Sequence, residues 1–312
     1  ADVPPTGVPQ SQEPYSQQLS NIADVTQNGD NGSVQVDQSG NNRAQIHQAY
    51  APGEGQSATI DQETVPGDGT ENYAATHQRG NDVSADTTQS GGNNRGTVTQ
   101  QLSGNASSSI LQLGNGNEAG VTQSGEDTDG VSSDIDQLGN NNDAFVNQSG
   151  VGADSVILQT GDSNVADVGQ NGDSYSEVNQ IGNSNDATVD QAGDGNDSVI
   201  DQNDVRGLAV VEQIGDGNTS NITQNNEDTR ATVQQLGDMG QSTITQNGAR
   251  NSVTDGVDGT DQGGVGVRQR DGSLRAISEV TQDGQQNVAE IDQGGTDNFS
   301  RINQGTAGGS LA

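Results

Sequence analysis

The 312-residue chain has no cysteine, no tryptophan and no lysine, one methionine, six prolines, two phenylalanines and four tyrosines. Without cysteine, neither disulfides nor thiolate metal sites contribute to stability. No apolar stretch approaches the roughly 18 residues of a membrane-spanning helix, so no membrane insertion is expected. No secretory signal pattern opens the sequence, and a signal removed beforehand is the expectation. Positive charge is scarce: ten arginines stand against 44 acidic residues, for a formal net charge of -34. That balance disfavours nucleic acid and anionic membranes as partners. With 26% hydrophobic residues, 2% aromatics and 45 glycines, composition alone describes a disordered acidic polymer.

Periodicity overrides that description. A glutamine recurs at 27, 38, 48, 62, 78, 89, 100, 112, 123, 137, 148, 159, 170, 180, 191, 202, 213, 224, 235, 246, 269, 282, 293 and 304. Of these 24 slots, 22 carry Val or Ile two positions earlier, the exceptions being Thr76 and Thr87. A fixed period of this size is the signature of stacked repeats. The true period is two slots. Four residues before the glutamine, ten of the twelve odd slots have Ala and nine of the twelve even slots have Ser; six before it, nine odd slots have Asn.

Positions minus six, minus four, minus two and zero share one parity, so an extended strand points all of them to one face. The intervening positions are polar or acidic, as in Asp186-Ala187-Thr188-Val189-Asp190-Gln191, and face water. Gly follows the glutamine by two in 17 slots, where the chain must turn through backbone conformations that other residues avoid. Each slot therefore predicts a short strand plus an arc. The expected fold is all-β: a two-sided β-solenoid of about twelve strand-arc-strand rungs, roughly 58 Å long at about 4.8 Å per rung. Buried side-chain amides are costly unless fully hydrogen-bonded, and repetition offers each one its copy above and below. Gln137, Gln148, Gln159, Gln170, Gln180, Gln191, Gln202 and Gln213, together with Asn142, Asn164 and Asn185, are the predicted structural ladder.

The repeats span residues 21–306, with enlarged loops near 49–77 and 247–264. Ser252-Val253 falls out of phase and is read as part of the second loop. Residues 1–20 form a Pro/Gln-rich arm with Pro4, Pro5, Pro9 and Pro14, and 307–312 a short tail. The last rungs match the middle ones, so no cap is evident and one molecule's end can template the next.

This pattern resembles the curlin repeats of curli, the secreted bacterial amyloid fibres, in which Gln, Gly, Asn, Ala and Gln recur at set spacing. Gln137, Gly139, Asn142, Ala144 and Gln148 match it, as do Gln159, Gly161, Asn164, Ala166 and Gln170, and Gln180, Gly182, Asn185, Ala187 and Gln191. One departure is the serine, which here usually precedes its glutamine by four residues rather than six. The resemblance implies unfolded export through a dedicated outer-membrane channel, a nucleator partner, and head-to-tail growth into extracellular cell-surface fibres for biofilm matrix and adhesion. Uniform end repeats look more like a major subunit than a nucleator. The arm then reads as a secretion-targeting or inter-subunit segment, with a frayed tail as the alternative.

Spread along such a solenoid, the charge approaches the linear density of duplex DNA, roughly one negative charge per 1.7 Å, and must be screened or neutralised. A halophilic source is one reading. Calcium is the other: the loops Gly193–Asp197 and Gly215–Asn218 offer oxygen ligands, with Asp194, Asp197 and Asp216 as candidates, although EF-hand spacing is missing. The rival functions are a calcium-stabilised adhesin solenoid and an ice-binding solenoid, which needs a flat outward threonine array. Thr188, Thr223, Thr232, Thr243 and Thr245 are outward but interrupted. The only histidines, His47 and His77, should lie outside on adjacent rungs and read as solvated imidazoles, with a metal clasp as the alternative. No nucleophile or phosphate loop accompanies them, so no enzyme and no required cofactor is expected. Phe145 and Phe299 fall at outward parity.

Overall fold

The computed structural model describes residues 21–28, 32–49, 55–64, 70–102, 104–125, 130–250, 252–253, 266–270 and 272–305. Among them are 26 strands and no helix. The odd slots form one parallel sheet and the even slots a second. All 24 glutamines lie in register: Gln27, Gln48, Gln78 and Gln100 begin the first column, which ends at Gln293, while Gln38, Gln62, Gln89 and Gln112 begin the second, which ends at Gln304. The chain thus alternates sides at every slot and climbs one rung every two, as a two-sided β-solenoid.

Parity decides the core. In the Gln148 strand, Ala144, Val146 and Gln148 are buried while Asp143, Phe145 and Asn147 are not. The same inward column holds Val or Ile from rung to rung, and the two exceptions, Thr76 and Thr87, are buried in it as well. Strands buried on one face alone keep the strict alternation seen here, so a chain poor in apolar residues still builds a continuous core.

The arcs carry two left-handed positions. The glycine two residues past the glutamine has φ of +130° at Gly139, +121° at Gly161 and +122° at Gly182. A second left-handed residue sits two further on: Asn141, Ser163, Ser184, Arg206 and Asp228 all have φ between 55° and 61°. The sequence announces the first through its glycines and hides the second, where the residue type varies.

The long interval before Gln269 corrects the reading of 247–264 as a loop between strands. Ser252 and Val253 pair with Arg230 and Ala231 on one side and with Val288 and Ala289 on the other. Val267–Gln269 then resumes the same rung against Val233–Gln235 and Ile291–Gln293. Residues 252–253 are therefore the first half of the Gln269 strand, and the extra residues interrupt that strand instead of preceding it. The neighbouring strand is broken at the matching point, between Val288–Ala289 and Ile291–Gln293. These two split strands raise the first sheet to 14 strands against 12 in the second. In the interval 49–77, the strands Ser57–Glu63 and Asn72–Arg79 hold their places. The arm at 1–20 and the tail at 307–312 lie outside the described residues.

Candidate functional site

The repeating interior is the feature that every rung builds in common, and its chemistry is that of primary amides. Gln159 uses both of its donors and its acceptor oxygen: its Oε1 accepts from Gln137 Nε2 at 2.9 Å, and its own Nε2 donates to Gln180 Oε1 at 2.9 Å and to the Asp143 carbonyl at 2.9 Å. Gln148 repeats this in the other sheet, accepting from Gln123 at 3.0 Å and donating to Gln170 Oε1 at 2.9 Å and to the Ser132 carbonyl at 2.7 Å. Gln170, Gln180, Gln191, Gln202 and Gln213 continue both ladders. The predicted glutamine ladder is therefore present. In addition, glutamines such as Gln137, Gln159 and Gln202 stitch the two sheets together, because the second N–H reaches the start of the facing strand.

The asparagines behave differently from their prediction. Asn142, Asn164 and Asn185 do not bond to one another's side chains. Instead Asn142 Oδ1 accepts from the backbone N–H of Asn164 at 2.9 Å, and its Nδ2 donates to the Gly161 carbonyl at 2.8 Å. Asn164 likewise accepts from the Asn185 N–H at 3.0 Å and donates to the Gly182 carbonyl at 2.8 Å. Each asparagine clamps the turn of the next slot to its own strand, which gives a physical reason why the Gly of one slot and the Asn of its neighbour occur together.

Serines form a third column. Ser133, Ser155, Ser176, Ser198, Ser220 and Ser242 are buried in the second sheet, and their Oγ atoms have no hydrogen-bond partner. Alanines such as Ala166, Ala187 and Ala209 take the corresponding places in the first sheet and belong to the apolar core.

The predicted calcium ligands separate. Asp194 and Asp216 stand one rung apart in an arc column running Asp173, Asp194, Asp216, Asp238, in which each backbone N–H of the first three donates to the Oδ1 of the next. Asp197 lies on the outer face of the second sheet, in the Gln202 strand, where burial first and Glu177 second raise its carboxyl above the ordinary range. Among the described residues, no group of three or more His, Asp or Glu side chains is placed to hold a metal ion. The threonines separate too: Thr188 and Thr232 belong to the first sheet, and Thr223, Thr243 and Thr245 to the second. They form no single array of the kind the ice-binding alternative needs.

Outside, charge is organised by rung. Arg95 with Glu118, Arg206 with Asp228, Arg270 with Asp292, Arg275 with Asp297 and Arg301 with Glu279 each bridge neighbouring rungs. Phe145 covers Gly120, leaving no room for a Cβ there, and stays 39% exposed. Phe299 lies outward in the last strand of the second sheet, beneath the Arg301 guanidinium.

At the ends the ladders meet open edges. Among the described residues no strand covers the outer side of the Gln27 and Gln38 strands, nor of the Gln293 and Gln304 strands. Val25, in a column where Val168 is fully buried, is 45% exposed.

Fold and interior together define a β-solenoid whose rungs are near-copies joined by amide ladders. The family model described as the Curlin associated repeat matches residues 173–203. That stretch holds Gln180, Gln191 and Gln202, so the resemblance read from the sequence is borne out there, and the chain is compatible with a curli-like structural subunit. No curated protein matches the chain.

Proposed function

We propose that the chain is the structural subunit of an extracellular, curli-like fibre at the cell surface, adding copies end to end in the service of biofilm matrix and adhesion. The observation that carries this reading is the combination of in-register ladders with, among the described residues, an uncovered edge at each end. A second copy docking in the same register would set Gln27 on Gln293 and Gln38 on Gln304, continuing both glutamine columns. Unpaired strand edges are templates of this kind, and monomeric proteins normally block them. Export as an unfolded chain through a dedicated channel and initiation by a nucleator belong to the same proposal, by analogy with the family.

Screening of charge by salt is part of the reading. In the docked register Glu290 and Asp24 share one column, adding like-charge repulsion at every junction to the overall charge of -34. A saline environment answers this repulsion by shortening the Debye length to about 3 Å at 1 M. Calcium is the second route and would make the chain an ion-stabilised adhesin solenoid.

The test is negative-stain electron microscopy with thioflavin fluorescence on denatured chain diluted into molar NaCl, into low salt with calcium, and into low salt with chelator. Fibres in NaCl without calcium support the fibre reading. Compact monomers that fold only with calcium would sink it and favour the adhesin.

A further inference from the structure

The chain's two histidines are in-register partners on adjacent rungs of the first sheet. Their ring centroids lie 4.7 Å apart and their planes cross at 71°. Both rings border a hollow of about 480 Å³ on the outer face, which Asp24 and Gln45 also line and where Ala75 leaves room between longer neighbours. The geometry points to a transition-metal site, in which His47 and His77 clasp one zinc-class ion through one nitrogen each and water completes the shell.

Three observations support it. A tetrahedral zinc ion with Zn–N of about 2.0–2.1 Å holds two nitrogens roughly 3.3 Å apart, which rings at this spacing reach by turning about χ2. Imidazole suits Zn, Cu and Ni, whereas the hard carboxylates elsewhere on the surface suit Mg and Ca. Finally, Asp24 lines the same hollow as the two imidazoles, so a carboxylate shares the space in which the ion would sit. Arg79 lies on the same face two residues past His77 and opposes any cation, which makes the chelate, and not general attraction, the source of affinity. This inference is independent of the fibre reading, since it concerns one face of a single folded chain.

The experiment is titration of the full folded chain with ZnCl2, read by calorimetry and by the imidazole nitrogen shifts in NMR, with MgCl2 at equal ionic strength as the control. The expected result is one tight equivalent at which both histidines shift together and which Mg does not reproduce. His77→Gln should weaken that equivalent about ten-fold or more, because the second imidazole acts at high effective concentration. Equal zinc affinity in His77→Gln, or imidazoles unmoved by zinc, would overturn the proposal and leave only diffuse attraction to the acidic surface. Should the variant fail to fold, the NMR result on the native chain decides.

Discussion

A Cβ placed on Gly139 would lie 1.9 Å from the carbonyl oxygen of Gly161 in the next rung. The same relation holds between Gly114 and Gly139, also at 1.9 Å, and between Gly161 and Gly182 at 2.0 Å. The atom met is backbone, fixed by its own ladder, so it cannot move aside. The φ of +130° at Gly139 adds strain for any side chain. Gly139→Ala is therefore expected to destabilise the solenoid by about 3 kcal/mol or more. Denaturant unfolding would check this, and a loss below 1 kcal/mol would show that the arc is softer than its packing implies.

Gln159→Ala should be costly for a different reason. It removes a group that Gln137, Gln180 and the Asp143 carbonyl all use, and the cost is about 1 to 3 kcal/mol for each buried partner left unpaired. Because the defect lies inside a continuous column, amide hydrogen exchange should quicken in the Gln137 and Gln180 strands as well. Exchange that rises only at residue 159 would argue against a cooperative ladder.

Much of this architecture is legible in the sequence because inward residues must repeat with the rung. The glutamine column, its Val or Ile companion and the alternation of Ala with Ser all give correct pairing, down to Gln269 across its long interval. Asn142 was legible as an inward residue but not in its role, since an amide bonding to its copy and one bonding to a backbone turn impose the same period. The left-handed residues at Asn141, Ser163 and Arg206 were invisible, because the arc on the neighbouring rung dictates that conformation whatever side chain is present. Ser252-Val253 offers only two residues of a strand, too few to carry a phase. The convergence of His47 and His77 was legible as adjacency on one face, but the 4.7 Å approach of the rings required the structure.

The serine column supplies a contrast to the glutamines. Ser176 is fully buried and its hydroxyl has no partner, so it carries a desolvation cost of about 1 to 3 kcal/mol that alanine would not. Ser176→Ala, matching the alanines of the opposite sheet, is expected to be neutral or to stabilise by about 1 kcal/mol. A clear loss of stability on thermal unfolding would mean that the hydroxyl has a partner in solution.

Acid should strengthen the array, and the direction follows from which groups shift. Burial, followed in most cases by a like charge on the same face, raises the carboxyls of Asp136, Asp143, Asp167, Asp186, Asp197 and Asp201 above 3.8. A carboxyl with a raised folded pKa binds its proton more readily folded than unfolded, so stability rises as pH falls through the interval from the raised value down to 3.8. Asp228 and Asp292, lowered by Arg206 and Arg270, act the other way, and their contribution is lost below 3.8. His77 also opposes: its folded pKa is depressed, so stability near its rung falls as pH drops from above 6.5 through the depressed value. The expected profile has a shallow loss near pH 6, confined to the first rungs and absent in His77→Gln. A gain follows toward pH 4 and levels off below it, offset only in part by the loss of the Asp228 and Asp292 contributions. Denaturant midpoints at half-unit pH steps would trace it, and a monotonic decline from pH 7 to 4 would refute the carboxylate assignment.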